Sequence, residues 1–175
     1  DRAAAREMYR EAISYRPGDH LLLTKFLELV AEDGDWSYSL DVVGKLIETE
    51  KDPRVRARYR HLAGQIARDE LDDPERAREL MTQALEDDPL AFAIADELEA
   101  IHKKEDLAGF YARRLEHVRG QSGVGRPGEA LRLWDKLAAL SLELGNMDDA
   151  IAALEVARNL APDDTDRLQR LADPA

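Results

Sequence analysis

The sequence predicts an all-α chain of antiparallel helix hairpins set side by side. Three observations carry this expectation. Pro17, Pro53, Pro89, Pro127 and Pro162 recur at intervals of 36, 36, 38 and 35 residues, which marks a repeated unit. Between them nearly every segment spaces its apolar residues for one face of a helix, and the period-two alternation of strands never appears. The connections are short, so consecutive helices must run antiparallel.

About ten helices follow, near residues 2–15, 19–32, 36–50, 53–70, 74–87, 90–104, 106–119, 127–144, 147–160 and 164–172. The first rests on Ala5, Tyr9 and Ala12 ahead of Pro17, and the second on Leu23, Phe26, Leu27 and Val30, closed by Gly34. Trp36, Leu40, Val43 and Ile47 define the third; Val55, Tyr59, Leu62 and Ile66 the fourth; Ala77, Leu80, Met81 and Ala84 the fifth. Asp52-Pro53, Asp73-Pro74 and Asp88-Pro89 each pair a capping carboxylate with a proline whose missing N–H costs nothing in a first turn, so three helices are expected to begin there. The sixth and seventh span Phe92 to Val118, joined by Lys103-Lys104-Glu105-Asp106 in place of a glycine turn. Leu131, Trp134, Leu137 and Ala138 mark the eighth, Gly145 its end, and Ala150, Leu154 and Ala157 the ninth. A tenth starts within Thr165 to Leu171. The stretch from Gly120 to Arg126 holds three glycines and little to bury, and reads as a flexible joint.

Composition removes several function classes. The 175 residues include 25 Lys and Arg against 37 Asp and Glu, a formal charge of −12, with 44% hydrophobic residues and no cysteine. That apolar fraction argues for a folded chain, and the longest apolar run, Leu90 to Ala95, is far too short to span a membrane. Disulfide scaffolds, zinc ribbons and thiol nucleophiles are excluded. The acidic excess repels phosphate backbones, and no block of five basic residues opposes it, so nucleic acid is not an expected partner.

These residues resemble the tetratricopeptide repeat, a helix-turn-helix unit of about 34 residues. In the fourth hairpin Trp134 stands at the family's first aromatic position, Leu137 and Ala138 at its Leu-small pair, Gly145 at its turn, and Ala150, Ala157 and Pro162 at its later small and proline positions. The first hairpin carries Ser39 and Leu46 at the family's alanines, and the second needs about two extra residues near Leu71-Asp72-Asp73. The resemblance implies a single array over residues 1–175 and a right-handed superhelical solenoid. Residues 1–17 are then the second helix of a truncated repeat, 19–53, 54–89, 90–119 and 127–162 are hairpins, 120–126 a linker, and 163–175 the start of a further helix. A missing first partner leaves Met8, Tyr9 and Ile13 partly uncovered, so they are candidates for self-association, possible homo-oligomer formation through the N-terminal helix, and the natural protein is expected to continue upstream.

The family's usual work implies a noncatalytic scaffold holding a peptide or helix of another protein in a concave groove. Groove positions by this alignment are Thr24, Glu28, Arg60, Asp96, Arg132 and Asp135, with small residues at Gly64 and Ala139 explained by helix packing or by room for a ligand. Charge reversal at Arg60 and Arg132 is therefore expected to weaken partner capture without loss of stability. The subgroup that clamps a C-terminal carboxylate is matched only in part: Arg60, Arg132 and Lys136 supply cations, whereas Gly64 and Glu97 stand where its asparagines belong.

No catalytic residue, cofactor or metal is expected. Gly123-Val124-Gly125-Arg126-Pro127-Gly128 has dinucleotide-site spacing, but it follows the helical run Leu107, Tyr111, Leu115, Val118 and not a strand. The overlapping phosphate-loop likeness puts Arg126 at the lysine and Pro127 at the hydroxyl, removing both chemical parts. His20, His61, His102 and His117 share no register suited to convergent ligation.

Overall fold

The computed structural model describes residues 1–119 and 128–162. These form α1 (Arg2–Tyr15), α2 (His20–Glu32), α3 (Trp36–Thr49), α4 (Pro53–Asp69), α5 (Pro74–Asp87), α6 (Phe92–Ile101), α7 (Lys104–Arg119), α8 (Glu129–Glu143) and α9 (Met147–Leu160). Among the described residues there is no strand, and no helix is long and apolar enough to cross a membrane. The architecture is tetratricopeptide-like: paired antiparallel helices joined by tight turns. The joint expected at 120–126 and the helix expected at 164–172 lie outside the described residues.

The helix starts have local chemical causes. The Asp19 carboxylate accepts from Leu21 N at 3.1 Å and Leu22 N at 3.2 Å, Asp52 from Arg54 N at 2.9 Å, and Asp73 from Arg76 N at 2.9 Å. Asp88-Pro89 departs from this expectation. Asp88 accepts from Leu90 N at 3.3 Å and, through its carbonyl, from Ala91 N at 3.1 Å, which closes a turn and delays α6 until Phe92. Gly34 (φ 72°) ends the α2 hairpin turn and Gly145 (φ 77°) ends that of α8. At the first, Gly34 N donates to Ala31 O at 3.0 Å and Asp35 N to Val30 O at 3.1 Å, the paired bonds that close a helix end through a left-handed residue. The two residues extra to the second hairpin are accommodated by a long α4 and a turn in which Asp72 takes φ 52° and Asp73 N donates to Ala67 O at 2.8 Å.

The helices group into two compact units, residues 1–101 and 102–175, each described by itself. In the first unit α6 packs on α5, and in the second α7 packs on α8.

In the first unit the core repeats. Ile13, Leu23, Phe26, Val30, Val42 and Leu46 bring α1, α2 and α3 together, with Tyr9 stacked on Phe26 at 5.6 Å. Val43, Ala63, Ile66, Ala67, Ala77 and Leu80 do the same for α3, α4 and α5. Each helix thus buries its stripe against its neighbours on either side. The α4–α5 approach is close: a Cβ on Gly64 would meet Met81 Cγ at 2.9 Å, which makes helix packing the reason for this glycine.

The second unit buries Phe110, Tyr111, Leu133, Ala138, Leu140, Ala150, Ala153 and Ala157. Small residues at 138, 150 and 157 are fully inside and allow α8 and α9 to meet closely. A buried charge cluster lies at the start of α8. Glu129 accepts from Arg132 Nε at 3.0 Å and Nη2 at 2.9 Å, with Arg114 Nη2 at 4.0 Å from Glu129 Oε1.

Candidate functional site

In the first unit α2 and α4 open the hairpins α2–α3 and α4–α5, α6 follows on α5, and side chains of α4 reach both α2 and α6. The His20 ring of α2 lies 6.1 Å from that of Tyr59 in α4, and Glu97 of α6 bonds to three residues of α4. With 3.6 residues per turn, positions 54, 58, 61, 65 and 68 fall on one line along α4, within an arc of about 80°. That line is the open face: Arg54 and Arg58 are exposed, and His61, Gln65 and Arg68 are half-buried. The corresponding line on α6 is Ala93, Glu97 and Ala100, and on α2 it is Leu21, Lys25, Glu28 and Glu32.

At the C-terminal half of the α4 face, the Glu97 carboxylate accepts from Arg68 Nη1 at 3.0 Å and Gln65 Nε2 at 3.3 Å, with His61 Nε2 at 3.0 Å. Burial works to raise the Glu97 carboxyl, but the Arg68 guanidinium, followed by His61 and Gln65, outweighs it and holds the group below its ordinary value. Arg68 is held above the ordinary guanidinium value, first by its bond to Asp69, against burial, and then by Glu97.

Arg60 faces elsewhere. It donates to Gln83 O at 3.2 Å and to Asp87, which also receives the Arg56 Nε at 2.9 and 3.0 Å. The Asp87 side chain is 8% exposed, so the two guanidiniums tie α4 to α5. Arg132 is likewise drawn onto Glu129. Reversing either charge breaks an ion pair inside its own unit, so a loss of stability is now expected from such changes.

The remaining candidates are divided between the units. Thr24 and Asp96 are half-buried, Glu28 is exposed and paired with Lys25 at 2.7 Å, and Asp135 is half-buried in α8. Of the self-association candidates, Met8 is 71% exposed, Tyr9 is covered by Phe26, and Ile13 is 5% exposed inside the first core. The open face of α4 was missed in the sequence, although a helical projection from Arg54 displays it.

The second unit holds an apolar cavity of about 550 Å³ between α7, α8 and α9, lined by Leu115, Val118, Trp134, Leu137, Val156 and Leu160 among others. Trp134 and Leu137, at the family's aromatic and Leu-small positions, line this cavity.

No protein-family model matches the sequence, and no curated protein matches it. Solved structures similar to it include "Crystal structure of MamA protein", matched over 98% of this chain and 85% of that one with TM-score 0.48 and 12% identity. Another is "Functional Characterization of Pseudomonas Aeruginosa pilF", over 95% and 72% with TM-score 0.46 and 17% identity. BtubC from P. vanneervenii matches over 90% and 87% with TM-score 0.40 and 14% identity. At these values the likeness lends no function to this chain, and the fold assignment stands on the helix pairing itself.

Proposed function

We propose that the chain is a noncatalytic protein-interaction scaffold whose first helices take an extended peptide or a helix of a partner protein. The observation that supports this most directly is the polar row Arg54, Arg58, His61, Gln65 and Arg68 on the open face of α4, flanked by α2 and α6. A segment laid along this row meets polar side chains carried on a preformed helix, which reduces the ordering cost of binding. The test is a photo-crosslinking amino acid at Leu21 or Ala100, on the open faces of α2 and α6, against the same probe at Lys45 or Glu86, on α3 and α5. Partner adducts from the native lysate at the first pair alone support the reading; adducts only at Lys45 and Glu86 refute it.

A second reading has one observation in its favour. Met8 and Tyr15, seven residues apart on α1, are 71% and 78% exposed, an apolar face suited to self-association. Sedimentation of the full chain tests it: concentration-dependent dimers lost in Met8→Glu support it, and a monomer throughout refutes it.

A further inference from the structure

The N-terminal half of the α4 open face carries a charge pattern that folding alone disfavours. The chain has 37 acidic residues against 25 basic ones, yet the five positions along this face contain no carboxylate. Arg54 sits in the first turn of α4, beside Pro53 at its start, where the helix dipole opposes a cation. Arg58 follows it by four residues, so two like charges share one face one turn apart. Among the described residues neither side chain has an ion-pair or hydrogen-bond partner. The nearby acids are engaged elsewhere: Asp52 caps the Arg54 backbone N–H at 2.9 Å, and Glu50 accepts from Asp52 N at 2.9 Å and lies 3.5 Å from the His20 ring.

The same face shows what it holds. Three of its residues, His61, Gln65 and Arg68, already surround one carboxylate, that of Glu97. One turn back along the α6 line stands Ala93, which carries no charge. Local rules of charge placement are broken where the outward face has work to do.

We propose that the α4 face centred on Arg54 and Arg58 docks an acidic segment of a partner protein, two of whose carboxylates, about 6–7 Å apart, each receive one guanidinium. That separation suits Glu or Asp at i and i+2 of an extended segment, or at i and i+4 of a helix. Arginine favours carboxylates through its two-pronged donor geometry, and the net charge of −12 disfavours a nucleic acid as the source of the anions. The inference rests on the scaffold reading and narrows it to a class of partner.

The experiment selects a randomised 12-residue peptide library on the immobilised full chain, beside the double variant R54E/R58E. Wild type is expected to enrich peptides with paired Asp or Glu, whose affinity falls at least tenfold in the double variant and declines with added salt. The double variant is expected to melt no lower than wild type, since it removes a like-charge pair and places acids at a helix start, so loss of binding is not loss of fold. A pool without acidic enrichment, acidic peptides retained equally by R54E/R58E, or preference for an RNA homopolymer over the peptides would each overturn it. A non-acidic pool that crosslinks at Leu21 and Ala100 overturns this inference and leaves the scaffold reading in place; absence of crosslinks there overturns the scaffold reading itself.

Discussion

Gly64→Ala replaces a hydrogen by a methyl at the closest approach of α4 and α5. The new Cβ would stand 2.9 Å from Met81 Cγ and 3.3 Å from its Cε, with Ala77 O at 3.4 Å. Met81 is 0% exposed and the nearest atom is in the middle of its side chain, so swinging the terminal methyl away does not relieve the contact. Two effects compete. Replacing a mid-helix glycine by alanine stabilises a helix by about 1 kcal/mol. Overpacking a filled interior costs about 1–3 kcal/mol. The buried contact wins, and a net loss of about 1 kcal/mol is expected. Gly44→Ala is the control, because nothing stands within 4 Å of the place its methyl would take in α3, and it is expected to gain nearly the full helix term. Urea unfolding followed by far-ultraviolet circular dichroism measures both; at a slope of about 1–3 kcal/mol per molar, the two midpoints separate by about 1 M. A Gly64→Ala chain as stable as wild type, or more so, would refute close packing as the reason for this glycine and reopen it as room for a ligand.

Asp87→Asn strips the Arg56 and Arg60 guanidiniums of their shared, largely buried counter-charge, and is expected to lower stability by about 2–3 kcal/mol in the same urea assay. Arg60→Glu is expected to lose stability as well, which a thermal melt checks. Asp72→Gly relieves a residue held at φ 52° and is expected to gain about 0.5–1 kcal/mol, read as a shift in urea midpoint with unchanged slope. The Glu97 carboxyl lies below its reference value of 4.5 in the folded chain, so its stabilising contribution is present above that value and is lost as pH falls below it. Glu97→Gln is therefore expected to flatten the fall in melting temperature between about pH 5 and pH 3, and an unchanged acid slope would contradict the Arg68–His61–Gln65 cradle.

Helix existence was legible because apolar spacing is a local property: Val55, Tyr59, Leu62 and Ile66 declare α4 whatever surrounds them. The starts at Asp52 and Asp73 were equally local. Asp88-Pro89 was not, since the same dipeptide chemistry closes a turn as readily as it caps a helix, and only the bonds to Leu90 and Ala91 distinguish the two. The face of each arginine was hidden for a different reason. Arg54, Arg56, Arg58 and Arg60 alternate along α4, and which of them turns outward depends on Asp87, some thirty residues away on α5. Alignment to a repeat pattern selected Arg60, whose partner lies in the structure and not in the pattern.

Hydrogen–deuterium exchange of the full chain, with and without a saturating acidic peptide from the selection, tests most directly whether the first-helix faces bind. Added protection is expected to concentrate in residues 54–68 of α4 and in α6, with α3 and α5 unchanged. Protection centred on α3 or α5, or no change at α4 in a chain shown to be saturated, would contradict it.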